Sequence, residues 1–202
     1  MKLIGVNNSP YHRRTAISLT LLGVPFEVQT LSPFMHSEAL SQINPMMKVP
    51  TLVCDSGEQI MDSSLIIQYA ESTLTDGKSL WSADTAIRQR EYRAASLALA
   101  ALEKCLQIVY ETRLRPADVR HLPWLQRLET QLQAGLGELD RLVDSQPEVV
   151  ASEYSQATIT AAIAGGFART TVPASISDLK TPALAALSAR MEATPVFQQF
   201  AP

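Results

Sequence analysis

Every segment that reads as β-strand lies in the first 61 residues of this 202-residue chain, and none follows residue 83. A chain divided in this way cannot run one sheet through its whole core. It folds as a small α/β unit followed by helices packed on helices. The first strand is the apolar run at residues 2–6. A helix opens at Pro10, carries Ile17, Leu19, Leu21 and Leu22, and stops at Gly23 with Pro25 just beyond, the punctuation of a helix C-terminus. Residues 26–30 alternate in character and form a second strand. Strand, helix and strand then make a parallel pair joined by a crossover. After a loop through Pro33 and a short helix over 37–42, Pro50 precedes a strand at 51–54. Asp55-Ser56-Gly57 turns, and 58–61 returns as its hairpin partner. Asp62-Ser63 opens the next helix, which bears Leu65, Ile66, Ile67 and Tyr69. The order is βαβ, helix, ββα.

This reading gives a first domain over 1–75, a linker over 76–83 and an all-helical domain over 84–202. The helical half starts with a long helix over 84–114, striped by Leu102, Leu106 and Val109. Pro116 and Pro123 bracket a break. A second long helix carries Leu125, Leu128, Leu132, Leu136, Leu139 and Leu142 at three- and four-residue spacing and closes at Gln146-Pro147. The stretch 159–167 is apolar all round, as expected of a buried central helix. Segments 182–192 and 195–200 supply a helix and a terminal turn.

Composition narrows the function classes. Hydrophobic residues make up 46% of the chain, enough for a real core. Seventeen Lys and Arg against 20 Asp and Glu leave a net charge of −3, which offers no electrostatic footprint for nucleic acid or anionic lipid. No apolar run nears the ~20 residues of a membrane helix, and the opening apolar run is too short for a signal-peptide core. The two cysteines, Cys54 and Cys105, sit in apolar stretches without metal-like spacing and read as free core thiols. These features together imply a reducing, cytoplasmic setting. No metal and no organic cofactor is implied.

Four short signals carry the chemistry: Ser9-Pro10-Tyr11-His12, Asn44-Pro45, Lys48-Val49-Pro50 and Asp62-Ser63. Ser9 lies between a buried strand and a helix start, where free N–H groups favour an anion. It is either a plain helix N-cap or a hydrogen-bond donor to a bound thiolate. In the second role one charge-assisted bond of ~1.5–3 kcal/mol lowers a thiol pKa by ~1–2 units. Val49-Pro50 either holds a cis bond that turns the Val49 N–H and C=O toward a ligand, or is a trans step opening an edge strand. Asp62-Ser63 is an N-cap pair by default. The same geometry also suits the carboxylate and ammonium of an amino-acid head group, and Lys48 suits a second carboxylate.

In this order, on βαβ-ββα followed by helices, the set resembles the cytosolic glutathione S-transferase family, bacterial type, with serine at the activating position. The likeness covers nearly the whole chain. It implies a thioredoxin-like first domain, a cis proline at Val49-Pro50, and a homodimer with one pocket per subunit. It implies glutathione as co-substrate. Val49 and Pro50 would hold its cysteinyl part, Asp62 and Ser63 its γ-glutamyl end, and Lys48 its glycine end, with Ser9 activating the sulfur toward a small electrophile. Tyr11, Tyr110 and Arg113 are candidates for the electrophile's pocket. Ser9-Pro10-Tyr11-His12 also looks like the Cys-Pro-Tyr-Cys of glutaredoxins with both cysteines replaced. That argues against dithiol chemistry and leaves glutathione-dependent disulfide or peroxide reduction open, as it leaves open a non-catalytic binding protein on this fold. The family's capping box at the central helix, serine followed by aspartate three residues on, is here Ser155 followed by Thr158. Ser155 is expected to accept the Thr158 N–H, and the Thr158 hydroxyl to return a bond to the Ser155 N–H.

Overall fold

The apolar run at the N-terminus is strand β1 (Lys2–Gly5), with Leu3 and Ile4 fully buried. The structure, a computed structural model, describes all of Met1–Pro202. Helix α1 (Pro10–Leu22) starts at Ser9, has proline in its first turn, where no intrahelical N–H is needed, and ends at Gly23 in the left-handed region at φ 77°. Strand β2 (Glu27–Thr30), helix α2 (Ser37–Ile43), hairpin strands β3 (Thr51–Val53) and β4 (Gln59–Met61) and helix α3 (Ser63–Thr73) follow. The sheet order is β2-β1-β3-β4. β1 and β2 run parallel, while β3 is antiparallel to both β1 and β4. This is a thioredoxin-like domain, as the family resemblance implies.

Sheet direction places the functional end of this domain. The chain leaves β1 at Gly5 and reaches Ser9. Ile4 pairs with Thr51 at the start of β3, and Thr51 pairs with Met61 at the end of β4. One end of the sheet therefore gathers the loop before α1, the Val49–Pro50 step and the Asp62–Ser63 start of α3.

The chain forms two units, Met1–Leu80 with Thr194–Pro202, and Trp81–Ala193. The sequence reading gives residues 194–202 to the helical half, but their packing is with the first unit. Arg13 on α1, itself buried, donates from Nε to the Phe200 carbonyl at 2.9 Å and from Nη2 to the Phe197 carbonyl at 3.1 Å. Its guanidinium lies 5.1 Å from the Phe197 ring centre, and the Phe26 and Phe200 rings stack at 6.3 Å.

The second unit is helical: α4 (Thr85–Val109), α5 (Leu122–Ser145), α6 (Gln156–Thr171) and α7 (Pro182–Glu192). A fifth segment, α8 (Pro195–Gln199), belongs to the C-terminal piece of the first unit. Helix α4 is shorter than the 84–114 expected, because its last turn, Tyr110–Leu114, widens into a π-helix. α5 buries Leu128, Leu132, Leu136, Leu139 and Leu142 on one stripe. α6 is buried nearly all round. Its small residues let α7 approach closely: a Cβ at Gly165 would stand 2.8 Å from both Leu184 Cγ and Ser188 Oγ, and Ser188 Oγ donates to the Ala162 carbonyl at 2.8 Å.

The start of α6 differs from expectation. Ser155 Oγ accepts the Thr158 N–H at 3.1 Å, as predicted. The Thr158 hydroxyl, fully buried, instead donates to the Ser152 carbonyl at 2.8 Å and lies 3.0 Å from Ser155 Oγ. A carbonyl needs a donor, so a hydroxyl stands here and not a carboxylate.

Candidate functional site

Ser9 caps α1 loosely. Its Oγ accepts the His12 N–H at 3.4 Å, and its own N–H donates to the Val6 carbonyl at 2.9 Å. A hydroxyl that accepts still has its proton to give. The N-cap role and the donor role are therefore compatible at this residue, which is half-buried.

His12 occupies the position of the second glutaredoxin cysteine. Its ring is fully buried, neither ring nitrogen has a hydrogen-bond partner, and a Cβ added to Gly5 would stand 2.3 Å from His12 Cδ2. Burial lowers its pKa to about 4, so the imidazole is neutral and packed against β1.

Asp62 sits at φ 74°, a conformation costly for a residue with a side chain. Its Oδ1 accepts the N–H groups of Ser64 at 2.8 Å and Leu65 at 3.3 Å and caps α3. Ser63, the first residue of that helix, is buried, and its N–H has no partner within the helix.

Sequence reasoning missed the residue beneath this start. Arg14 on α1 is almost wholly buried, and its Nη1 donates to Ser63 Oγ and Ser64 Oγ, each at 3.0 Å. Burial lowers its pKa to about 10 against the pull of Asp62, Tyr11 and Glu71, so it stays charged. With Ser63 Oγ occupied as an acceptor, its proton is available to a ligand. The available signal was the Arg13-Arg14 pair in an otherwise uncharged helix.

Between the exits of β1 and β4, at the head of β3, is the loop from Asn44 to Pro50, in which the Val49–Pro50 peptide is cis. Lys48 is exposed, and its carbonyl accepts the Thr51 hydroxyl at 2.7 Å. Asn44 is buried at the root of the loop and donates from Nδ2 to Thr51 Oγ1 at 2.8 Å.

The remaining candidates lie in different units. Tyr11 is on α1. Tyr110 and Arg113 are in the π-helical turn of the second unit, where Arg113 Nη2 donates to the Thr171 carbonyl at 2.6 Å. Partial burial raises the Tyr110 pKa. An open depression of about 510 Å³, lined by Met1, Lys2, Phe26 and Cys54 among others, belongs to the other end of the sheet, where Lys2 pairs with Val53 and Glu27.

Residues 3–76 match the family described as glutathione S-transferase, N-terminal domain. The glutathione S-transferase from Methylobacterium radiotolerans JCM 2831, solved in complex with glutathione sulfonate, is 29% identical with a TM-score of 0.87, over 100% of this chain and 94% of that one. A glutathione transferase family member from Pseudomonas fluorescens Pf-5 with bound glutathione is 27% identical, TM-score 0.86, over 100% and 98%. Residues 3–76 form a glutathione S-transferase N-terminal domain. Among curated relatives, the uncharacterized GST-like protein YibF of Escherichia coli K12 is 39% identical over 71 residues, 35% of each chain. The chain is thus matched over about a third of that relative's length. No helix of the chain is long and apolar enough to cross a membrane.

Proposed function

We propose that this chain is a glutathione S-transferase that binds glutathione as its thiolate and transfers it to an electrophilic small molecule. The observation that carries the reading is the gathering of Ser9, Val49–Pro50 and Asp62–Ser63 at one end of the sheet, with Arg14 fixing Ser63 from below. The γ-glutamyl carboxylate is held by the Ser63 N–H and hydroxyl at the positive end of α3. Asp62 keeps one carboxylate oxygen beyond its capping bonds and faces the ammonium. Lys48 pairs with the glycine carboxylate, and the Val49 backbone holds the cysteinyl unit.

The Ser9 hydroxyl then donates to the sulfur. A bond of ~1.5–3 kcal/mol to the thiolate lowers its pKa by ~1–2 units from a free value near 8.5, which leaves a large thiolate fraction near neutrality. The thiolate attacks the electrophile's carbon, the carbon–sulfur bond forms, and the leaving group departs with its electron pair.

Calorimetry with glutathione tests the binding half of this reading. Ser63→Ala is expected to weaken affinity by ~1–3 kcal/mol, because a charged group loses a donor. Equal affinity in the variant overturns the assignment. Turnover of an aryl halide faster than of a mixed disulfide or organic hydroperoxide supports transfer over reduction, and the reverse order overturns it.

A further inference from the structure

The Asn44-Pro45 signal has no ligand-binding part in the reading above, yet Asn44 is the most heavily bonded side chain of the loop. Its amide is saturated. Oδ1 accepts the Met46 N–H at 2.9 Å, and one Nδ2 hydrogen goes to Thr51 Oγ1 at 2.8 Å. The other is aimed at Met61 Sδ, 3.6 Å away. The backbone adds a bond from the Met47 N–H to the Asn44 carbonyl at 2.8 Å. Asn44 and Thr51 are buried, whereas Met61 is 40% exposed. The thioether of a residue that is 40% exposed therefore closes a buried polar network that joins the Lys48–Pro50 loop to the residue preceding Asp62.

We propose that Met61 is an oxidation site through which a hydroperoxide loosens the Asn44–Pro50 loop from β4. In the reaction Sδ attacks one oxygen of the hydroperoxide and the O–O bond breaks. A sulfur–oxygen bond forms, the thioether loses two electrons, and the hydroperoxide is reduced to water or an alcohol. The product does not fit the contact it replaces. A sulfoxide oxygen is a strong acceptor and needs about 2.9 Å to the amide nitrogen beyond its own bond to sulfur. Where the oxygen adds to the sulfur lone pair that faces the amide, 3.6 Å leaves no room for both in line. Either Met61 retreats, which shifts its neighbour Asp62, or the Asn44 amide turns, which breaks its bonds to Thr51 and Met46. Met35, Met46 and Met47 are also exposed, at 82%, 60% and 42%. Their sulfurs hold no hydrogen bond, so their oxidation leaves the network intact. The consequence for glutathione rests on the proposed function; the oxidation and the loosening do not.

The test treats the folded full-length protein and its Met61→Leu variant with hydrogen peroxide and locates sulfoxides by peptide mass spectrometry. Amide exchange of Met46 and Met47 and glutathione affinity are then measured before and after. Wild type is expected to gain a Met61 sulfoxide, to exchange both amides about three- to tenfold faster and to lose a similar factor in affinity, the effect of one hydrogen bond. Methionine sulfoxide reductases should reverse all three changes. Met61→Leu, oxidised at its other methionines, should show none of them. Unchanged exchange in oxidised wild type, or equal acceleration in Met61→Leu, overturns the proposal. Failure of both untreated proteins to bind glutathione overturns the proposed function, and the exchange comparison still decides the role of Met61.

Discussion

Arg14 and Ser63 are joined by a hydrogen bond of 3.0 Å from a nearly fully buried guanidinium to a buried hydroxyl, and this bond ties the helix begun by Ser9 to the helix begun by Asp62. The same Nη1 reaches Ser64 Oγ at 3.0 Å, so one cation orients two hydroxyls at the start of α3. Arg14→Met should cost roughly 1–3 kcal/mol in urea unfolding, because two hydroxyls lose a charged donor. Glutathione affinity should fall by about tenfold. Arg14→Lys keeps the charge but not the planar fork, and should recover stability only in part. Full retention of affinity in Arg14→Met would show that Ser63 needs no support.

His12 gives the fold an acid limb. Its folded pKa of about 4 lies below the unfolded value of 6.5. The unfolded chain therefore binds the proton first as pH drops. Stability from this group is complete above pH 6.5, falls between 6.5 and 4, and is lost by about 3 kcal/mol at most. His12→Leu, which replaces an imidazole without partners, should flatten this limb and unfold no more easily at pH 8. Urea midpoints across pH 4–8 for both proteins are the check. Parallel curves would contradict the assignment.

At the start of α6, Thr158→Asp should destabilise. The carboxylate would face the Ser152 carbonyl that now receives the Thr158 hydroxyl proton. A loss of about 1–3 kcal/mol is expected, and Ser155→Ala should cost ~0.5–2 kcal/mol. A gain in urea stability for Thr158→Asp would restore the simple capping box.

Much of this was legible in the chain, and the exceptions have a common cause. Strand–turn–helix punctuation at Ser9-Pro10, Gly23 and Asp55-Ser56-Gly57 is local chemistry, and it gave the order of the first domain. Arg14 was illegible because a helical arginine usually faces water. Only the burial of α1 on nearly every side turns it inward. The same holds for Arg13, whose bonds to the Phe197 and Phe200 carbonyls carry residues 194–202 to the first unit. The Met61 sulfur meets Asn44 because β3 and β4 pair Thr51 with Met61, a register that no local pattern announces.

Assembly is a separate expectation. α4 and α5 leave Tyr92, Leu122 and Trp124 exposed by 53%, 68% and 42%. A two-fold dimer that covers apolar side chains on these helices should sediment at twice the 22.1 kDa of the chain. A stable 22.1 kDa species at micromolar concentration would exclude a tight dimer.

The central claim is that the Ser9 hydroxyl holds glutathione as a thiolate. Ultraviolet thiolate absorbance of protein-bound glutathione, titrated against pH, measures this directly. In wild type the bound thiol should ionise ~1–2 units below its free value, and in Ser9→Ala it should return most of that way while affinity changes far less. Identical titration curves for the two proteins would contradict the claim and move the donor's role to Tyr11 or to a backbone N–H at the start of α1.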